Sequence, residues 1–124
     1  RFDVIICNIA NPDMVGHTGS LPAAILAAQA VDKALAAVRD AVGKAGGVLL
    51  VTADHGNVEM MRDPVTGAPH TAHTVGPVYF VMTGNAGSLR PSGSLRDIAP
   101  SILHLLDLPK PSEMTGQSLI GPPA

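Results

Sequence analysis

The sequence predicts an α/β fold in which a mainly parallel sheet is flanked by helices. Residues 4–9 (VIICNI) and 48–53 (VLLVTA) are short apolar runs rich in β-branched side chains, a pattern typical of strands buried on both faces. A long stretch with helical periodicity lies between them. Strand, helix and strand in this order predict a βαβ unit, whose strands are parallel neighbours joined by a right-handed crossover.

Local signals define the ends of the long helix. Ser20 suits its N-cap, Pro22 suits its first turn, and Gly46 and Gly47 suit its end. Two loops, one strand and one helix complete the prediction: loops over residues 10–20 and 54–76, a third strand over 78–82 and a second helix over 98–106. The second loop is long enough to indicate a functional or a disordered segment.

Composition excludes several classes of protein. The chain has 124 residues and a formal net charge of −2, and this length fits one domain. Because Lys and Arg are scattered, we expect no nucleic-acid binding. Charged residues interrupt the alanine-rich helix and no secretory signal is visible, so we expect neither a membrane span nor export. The lone Cys7 makes no internal disulfide, which fits the reducing cytoplasm.

Acidic and imidazole side chains follow the first two predicted strands. Asp13 and His17 lie in NPDMVGH, and Asp54 and His55 lie in TADHGN. Parallel strands end at the same edge of a sheet, so we expect both loops to emerge there, and the second loop adds the histidines of PHTAH. Carboxylates and imidazoles suit Mn²⁺, Zn²⁺ or Fe²⁺. Paired ions about 3.5–4 Å apart recur in phosphoryl chemistry, so the pattern predicts a metal site for such chemistry.

Each motif also has a simpler interpretation. Asp13 can cap a helix beside a solvated His17. The Asp-His-Gly sequence starting at Asp54 can form a hydrogen-bonded turn. His70 and His73 can be surface residues of a polar loop. The metal-site hypothesis is favoured because three separate motifs would otherwise bring these groups to one edge by chance.

Five stretches of the sequence together resemble one family. NPDMVGHTG, TADHGN, PHTAHT, DIAPSILHLLDLP and MTGQSLI resemble the C-terminal part of cofactor-independent phosphoglycerate mutases, which belong to the alkaline phosphatase superfamily. The resemblance covers essentially the whole chain. It implies that residues 1–124 are the C-terminal segment of a partial three-layer, alkaline-phosphatase-like domain that binds metal.

The resemblance also implies two Mn²⁺ ions, for which Zn²⁺ or Co²⁺ are alternatives. It assigns Asp13, His17 and His73 to one ion, and Asp54 and His55 to the other. His70 matches a position that is not usually a ligand, and we expect it behind the ligands or near the substrate path.

The implied activity is the interconversion of 3-phosphoglycerate and 2-phosphoglycerate through a phosphoserine intermediate, in glycolysis and gluconeogenesis, without bisphosphoglycerate. The nucleophilic serine and the inserted transferase domain of the family have no match in this chain. We therefore expect the chain to be a fragment that is inactive alone, and that self-associates because apolar faces lack their partners.

Two other functions remain open. One is a different reaction of the same superfamily, by a phosphopentomutase or a phosphatase. The other is a metal-binding module without catalysis. Assays of the full-length parent on phosphoglycerate distinguish a mutase from the other enzymes of the superfamily. A serine-bearing motif upstream in the gene distinguishes a mutase from a module without catalysis.

Overall fold

The computed structural model describes residues 2–84 and 86–121. The chain divides into two compact units. The first contains the residues up to Ala41 together with His55–Tyr79, and the second contains Val42–Asp54 and the residues from Phe80 onward. Each unit is at the small end of the size range of independent domains. The assignment of residues 1–124 to one phosphatase-type domain stays a prediction.

A short helix, α1 (Asn11–Gly16), lies where the sequence predicted only a loop. Pro12 occupies its first turn, where a missing N–H costs nothing and the fixed φ favours the helix. Asp13 is also in the first turn, where a carboxylate is favourable. The helix places Asp13 and His17 one turn apart, on the same side.

The long helix, α2 (Leu21–Lys44), confirms the helix predicted from periodicity. It ends as expected at the glycine pair. Gly46 adopts a positive φ of 69°, which glycine reaches without the steric penalty of other residues. The Gly47 N–H then bonds back to the Val42 carbonyl at 3.0 Å, satisfying one of the last carbonyls of the helix.

The second unit contains the main pair of strands, β1 (Leu49–Thr52) and β2 (Phe80–Thr83). They overlap the strands predicted over residues 48–53 and 78–82. The two strands are antiparallel, with Leu49 opposite Thr83 and Thr52 opposite Phe80.

The rest of the second unit is built around a buried carboxylate and a buried hydroxyl. Its elements are β3 (Ser88–Leu89), a 3₁₀ turn (Leu95–Asp97), α3 (Ile98–Leu105) and β4 (Ile120–Gly121), and β3 pairs antiparallel with β4. The Asp97 carboxylate accepts the N–H groups of Gln117 and Ser94 at 2.9 and 2.8 Å. These bonds, the one from Gln117 foremost, hold the pKa of Asp97 below its ordinary value.

Ser101 links α3 to the segment before β4. It is fully buried; its hydroxyl donates to the Asp97 carbonyl at 2.7 Å and accepts the Leu119 N–H at 2.8 Å. Replacing it with alanine leaves that N–H without its acceptor, so we expect the free energy of unfolding to fall by about 1–3 kcal/mol. Urea denaturation followed by circular dichroism measures the loss. The exposed Ser112→Ala is the control, and equal midpoints in the two variants would contradict the expectation.

Two predictions about the sheet are wrong. Residues 4–9 form no strand, and Ile5 and Ile6 are 79% and 86% exposed. An apolar run becomes a strand only by pairing, and no other described segment pairs with this one. Consequently the predicted βαβ unit is not formed, and both sheets among the described residues are antiparallel rather than mainly parallel.

Helix α2 also differs from the expectation that no segment could span a membrane. By length and composition it is long and apolar enough, because its most apolar 18 residues have a mean hydropathy of 1.5 and include at most two charged residues. Only 11% of that stretch is buried, and Leu26 is 67% exposed. Core helices of soluble proteins pass the same test, so the absence of a membrane partner stays a prediction.

Candidate metal centre

Three side chains of the first unit converge on one point. The Asp13 Oδ1 lies 3.1 Å from the His73 Nε2 and 3.2 Å from the His17 Nε2. The two imidazole nitrogens are themselves 3.1 Å apart. One donor atom from each residue lies within 4.8 Å of the other two, which is close enough for all three to bind one metal ion. We call Asp13, His17 and His73 the Asp13 cluster.

His55 lies beside this cluster. Its Nε2 is 3.9 Å from the Asp13 Oδ1, and its ring stacks on that of His73 with the centroids 3.6 Å apart and the planes 20° apart. The stacking follows from the fold of the long loop. An antiparallel bridge pairs Gly56 with Thr74, which places the two preceding histidines diagonally across from each other on the same face, within reach of a ring contact. The Thr74 N–H donates to the Gly56 carbonyl at 3.0 Å in this bridge.

Backbone carbonyls fix which nitrogen of two imidazoles is available. The His17 Nδ1 lies 2.7 Å from the Thr71 carbonyl oxygen, and the His55 Nδ1 lies 3.2 Å from that of Gly56. A carbonyl only accepts, so each Nδ1 carries the hydrogen and a neutral ring keeps its lone pair on Nε2. Both Nε2 atoms are thus prepared to bind a metal, in the arrangement that metal-ligating histidines favour.

Asn57 orients the carboxylate of the cluster. Its side chain is buried, and the Nδ2 donates to the Asp13 Oδ1 at 2.9 Å. This hydrogen bond, followed by the neighbouring imidazoles, holds the pKa of Asp13 below its ordinary value and keeps the group anionic at neutral pH. Gly16 lets the amide approach, because a Cβ there would overlap the Asn57 Oδ1. TADHGN contains Asn57, but the sequence alone assigned it no role.

The donor set fits a divalent transition metal. The His17 Nε2 lies 3.2 Å from the anionic Asp13 Oδ1, and a proton or a cation between the two atoms makes this approach favourable. One carboxylate with imidazole nitrogens suits Mn²⁺, Zn²⁺ or Co²⁺ better than Ca²⁺. Asp13 and His17 are each between a third and a half exposed, so an ion can enter from solvent.

Other candidate residues are not part of the cluster. Asp54 directly precedes His55 in the chain but belongs to the second unit, so its role as a ligand stays a prediction. His70 does not contribute to the group of donor atoms found among the described residues. Its Nδ1 is buried without a hydrogen-bond partner, while its backbone N–H bonds to the Met61 carbonyl at 3.1 Å.

Comparison with known proteins places this geometry in a family context. A family model described as the metalloenzyme superfamily matches residues 1–110. The chain is 61% identical over 121 residues to a 2,3-bisphosphoglycerate-independent phosphoglycerate mutase of Rhodopseudomonas palustris, covering 98% of this chain. It is 58% identical over 120 residues to the protein of that name from Ruegeria pomeroyi, covering 96% of this chain. The chain spans 24% of the length of each of these relatives.

A solved structure is also similar. It is a phosphoglycerate mutase of Leishmania mexicana, determined at low cobalt concentration. The match has a TM-score of 0.79 and 36% sequence identity, and it covers 92% of this chain and 24% of that one. Together with the family model, this likeness confirms an alkaline-phosphatase-like metalloenzyme fold, as the sequence motifs predicted.

Proposed function

The chain belongs to the metalloenzyme superfamily, and we propose that it is the metal-binding segment of a cofactor-independent phosphoglycerate mutase. The observation that carries the proposal is the convergence of the Asp13 Oδ1, the His17 Nε2 and the His73 Nε2. Relatives that carry the mutase name are 55–61% identical to nearly the whole chain, which supports the choice of reaction within the superfamily.

We propose that Asp13, His17 and His73 hold one divalent ion, and that Asp54 and His55 contribute to a second. Mn²⁺ is our first choice, with Co²⁺ and Zn²⁺ as alternatives that the same ligands accept. An ion bound here would supply charge neutralisation at a transferring phosphoryl group and lower the pKa of a bound hydroxyl.

The chain's own residues prepare that site. The Thr71 carbonyl orients the His17 ring, and the Asn57 amide orients the Asp13 carboxylate and keeps it ionised. Preorganised ligands of this kind lose little freedom when an ion binds. The nucleophilic serine would come from a part of the full-length protein outside this segment, so the segment alone should turn over no phosphoglycerate.

The test is metal removal from the full-length product of the gene that encodes this segment. We expect a chelator to abolish the interconversion of 3-phosphoglycerate and 2-phosphoglycerate, because the phosphoryl group then lacks its neutralising charge. Mn²⁺ should restore the activity, and added bisphosphoglycerate should change nothing. The assay measures the 2-phosphoglycerate formed, with the 124-residue chain assayed in parallel as an inactive reference.

Three outcomes would contradict the proposal. Phosphoglycerate turnover that persists in chelator would remove the metal from the reaction. Turnover of phosphopentoses or simple phosphomonoesters, without phosphoglycerate, would favour the other reactions of the superfamily. A full-length protein that binds metal but acts on none of these substrates would be a metal-binding module.

The proposal also includes the substrate, the cellular location and the self-association of the isolated chain. We propose a small-molecule phosphoglycerate as substrate and the cytoplasm as location, since Cys7 is a free and exposed thiol of the kind that a reducing compartment maintains. Self-association of the isolated chain is also proposed. Exposed apolar side chains such as Phe2 and Ile6, at 80% and 86% exposure, support it.

A further inference from the structure

We propose that Glu59 is a positioning residue of the metal centre, which holds together the chain segments that carry His55, His73 and Asp13. Glu59 does not belong to the group of donor atoms found among the described residues. It acts instead through the hydrogen bonds of its carboxylate. The inference rests on the proposed metal centre and adds to it the group that sets its geometry.

The two oxygens of Glu59 bind two different segments of the long loop. The Asn57 N–H donates to Oε2 at 2.7 Å, two residues after His55. The Thr74 hydroxyl donates to Oε1, one residue after His73. The carboxylate is therefore a bridge between the chain just past one histidine and the chain just past the other.

The Glu59 bridge lies against the backbone pairing of Gly56 with Thr74, which places the two imidazoles diagonally on one face. A Cβ added to Gly56 would overlap both the Glu59 carboxylate and the Thr74 hydroxyl, so these groups are packed on the Gly56 backbone. The Thr74 N–H donates to the Gly56 carbonyl within the same contact. The Gly56–Thr74 backbone bridge and the Glu59 carboxylate therefore hold the same two chain segments together.

Asn57 extends this effect to the carboxylate ligand. Its backbone N–H is held by Glu59, while its side-chain Nδ2 donates to the Asp13 Oδ1 at 2.9 Å. Movement of Glu59 would thus displace Asn57 and, with it, the orientation of Asp13. All three segments that bring donor atoms to the centre depend on one carboxylate.

The charge of Glu59 suits this role. The Thr74 hydroxyl bond, followed by backbone N–H bonds, holds the pKa of Glu59 below its ordinary value. The ionised carboxylate has only acceptors, which matches two converging donors. Glutamine has the same shape, but its amide NH₂ would face one of those donors, so it can keep only one of the two bonds.

The test compares metal binding by the 124-residue chain and its Glu59→Gln variant. We expect the dissociation constant for Co²⁺ or Mn²⁺ to rise roughly 10–100-fold, the cost typical of losing a group that orients metal ligands. Titration calorimetry measures the affinity, and the visible absorption of bound Co²⁺ reports a changed ligand geometry. Glu113→Gln alters the chain's other glutamate, which is exposed, and is the matched control.

Thr74 provides an independent check. Thr74→Val removes the hydroxyl at nearly constant shape and should weaken binding much as Glu59→Gln does, whereas Thr74→Ser keeps the donor and should restore affinity. Because both changes break one bridge, the double variant should lose less than the sum of the two effects. Full additivity, or affinity unchanged by Glu59→Gln, would overturn the inference.

A metal-free measurement separates this inference from the proposed function. Stacking of His55 on His73 shifts the ring proton resonances of both, and we expect Glu59→Gln in chelator to change these shifts while Glu113→Gln leaves them alone. If the wild-type chain binds no divalent ion but the shifts move, the proposed function fails and the positioning role stands. If the chain binds metal and neither shifts nor affinity change, the positioning role alone fails.

Discussion

Replacing Asp13 with alanine is expected to weaken the binding of Mn²⁺ or Co²⁺ to the chain more than about 100-fold, beyond the cost of losing a residue that only orients ligands. The Asp13 Oδ1 is the point on which the His17 and His73 Nε2 atoms converge, at 3.2 and 3.1 Å. Without it the imidazoles keep their places but lose the anionic partner that a cation requires. Titration calorimetry on the metal-free chain measures the change.

Two further variants make the Asp13 result specific. Asp13→Asn retains an acceptor for the Asn57 amide but removes the charge, so it should also lose affinity while keeping the local hydrogen bond. Asp40→Ala removes another exposed aspartate, which pairs with its neighbour Arg39 on helix α2, and this variant should bind metal as the wild-type chain does. Wild-type affinity in the Asp13→Ala chain would exclude this residue from the centre.

The sequence predicted which residues meet, but for a reason that is wrong. Parallel strands were expected to carry Asp13 and His55 to one edge of a sheet. In the structure residues 4–9 form no strand, and Asp13 is presented by α1 instead. His73 reaches the cluster through the antiparallel bridge between Gly56 and Thr74. The i and i+4 spacing of Asp13 and His17 fits α1, because such residues are neighbours in a helix, whereas only the family resemblance grouped His73 with them.

Elements with local causes were the most predictable. Helix α2 begins and ends where its cap and glycine signals lie, and α3 spans nearly the predicted residues. Strand pairing depends on partners distant in the chain, so direction and register could not be predicted from apolar runs alone. Asn57 and Glu59 were not predicted for the same reason, since their importance lies in hydrogen bonds to Asp13 and Thr74.

In the full-length protein, replacing His73 with alanine is expected to lower kcat/KM for 3-phosphoglycerate more than about 100-fold at limiting Mn²⁺, since loss of a ligand exceeds the cost of losing an orienting group. His73 joins the cluster through its Nε2 and stacks on His55, so alanine removes a donor and a ring contact together. Initial rates over a range of substrate concentrations measure the loss. His104→Ala, which removes an exposed imidazole from α3, is the matched control.

The dependence on Mn²⁺ separates a metal role of His73 from damage to the fold. If alanine acts by weakening metal binding, saturating Mn²⁺ should recover part of kcat, because the ion then occupies a site with fewer ligands. If alanine instead unfolds the long loop, excess metal recovers nothing and the circular dichroism changes. A His73→Ala protein with the kcat and the Mn²⁺ dependence of the His104→Ala control would exclude His73 from the ligands that turnover needs.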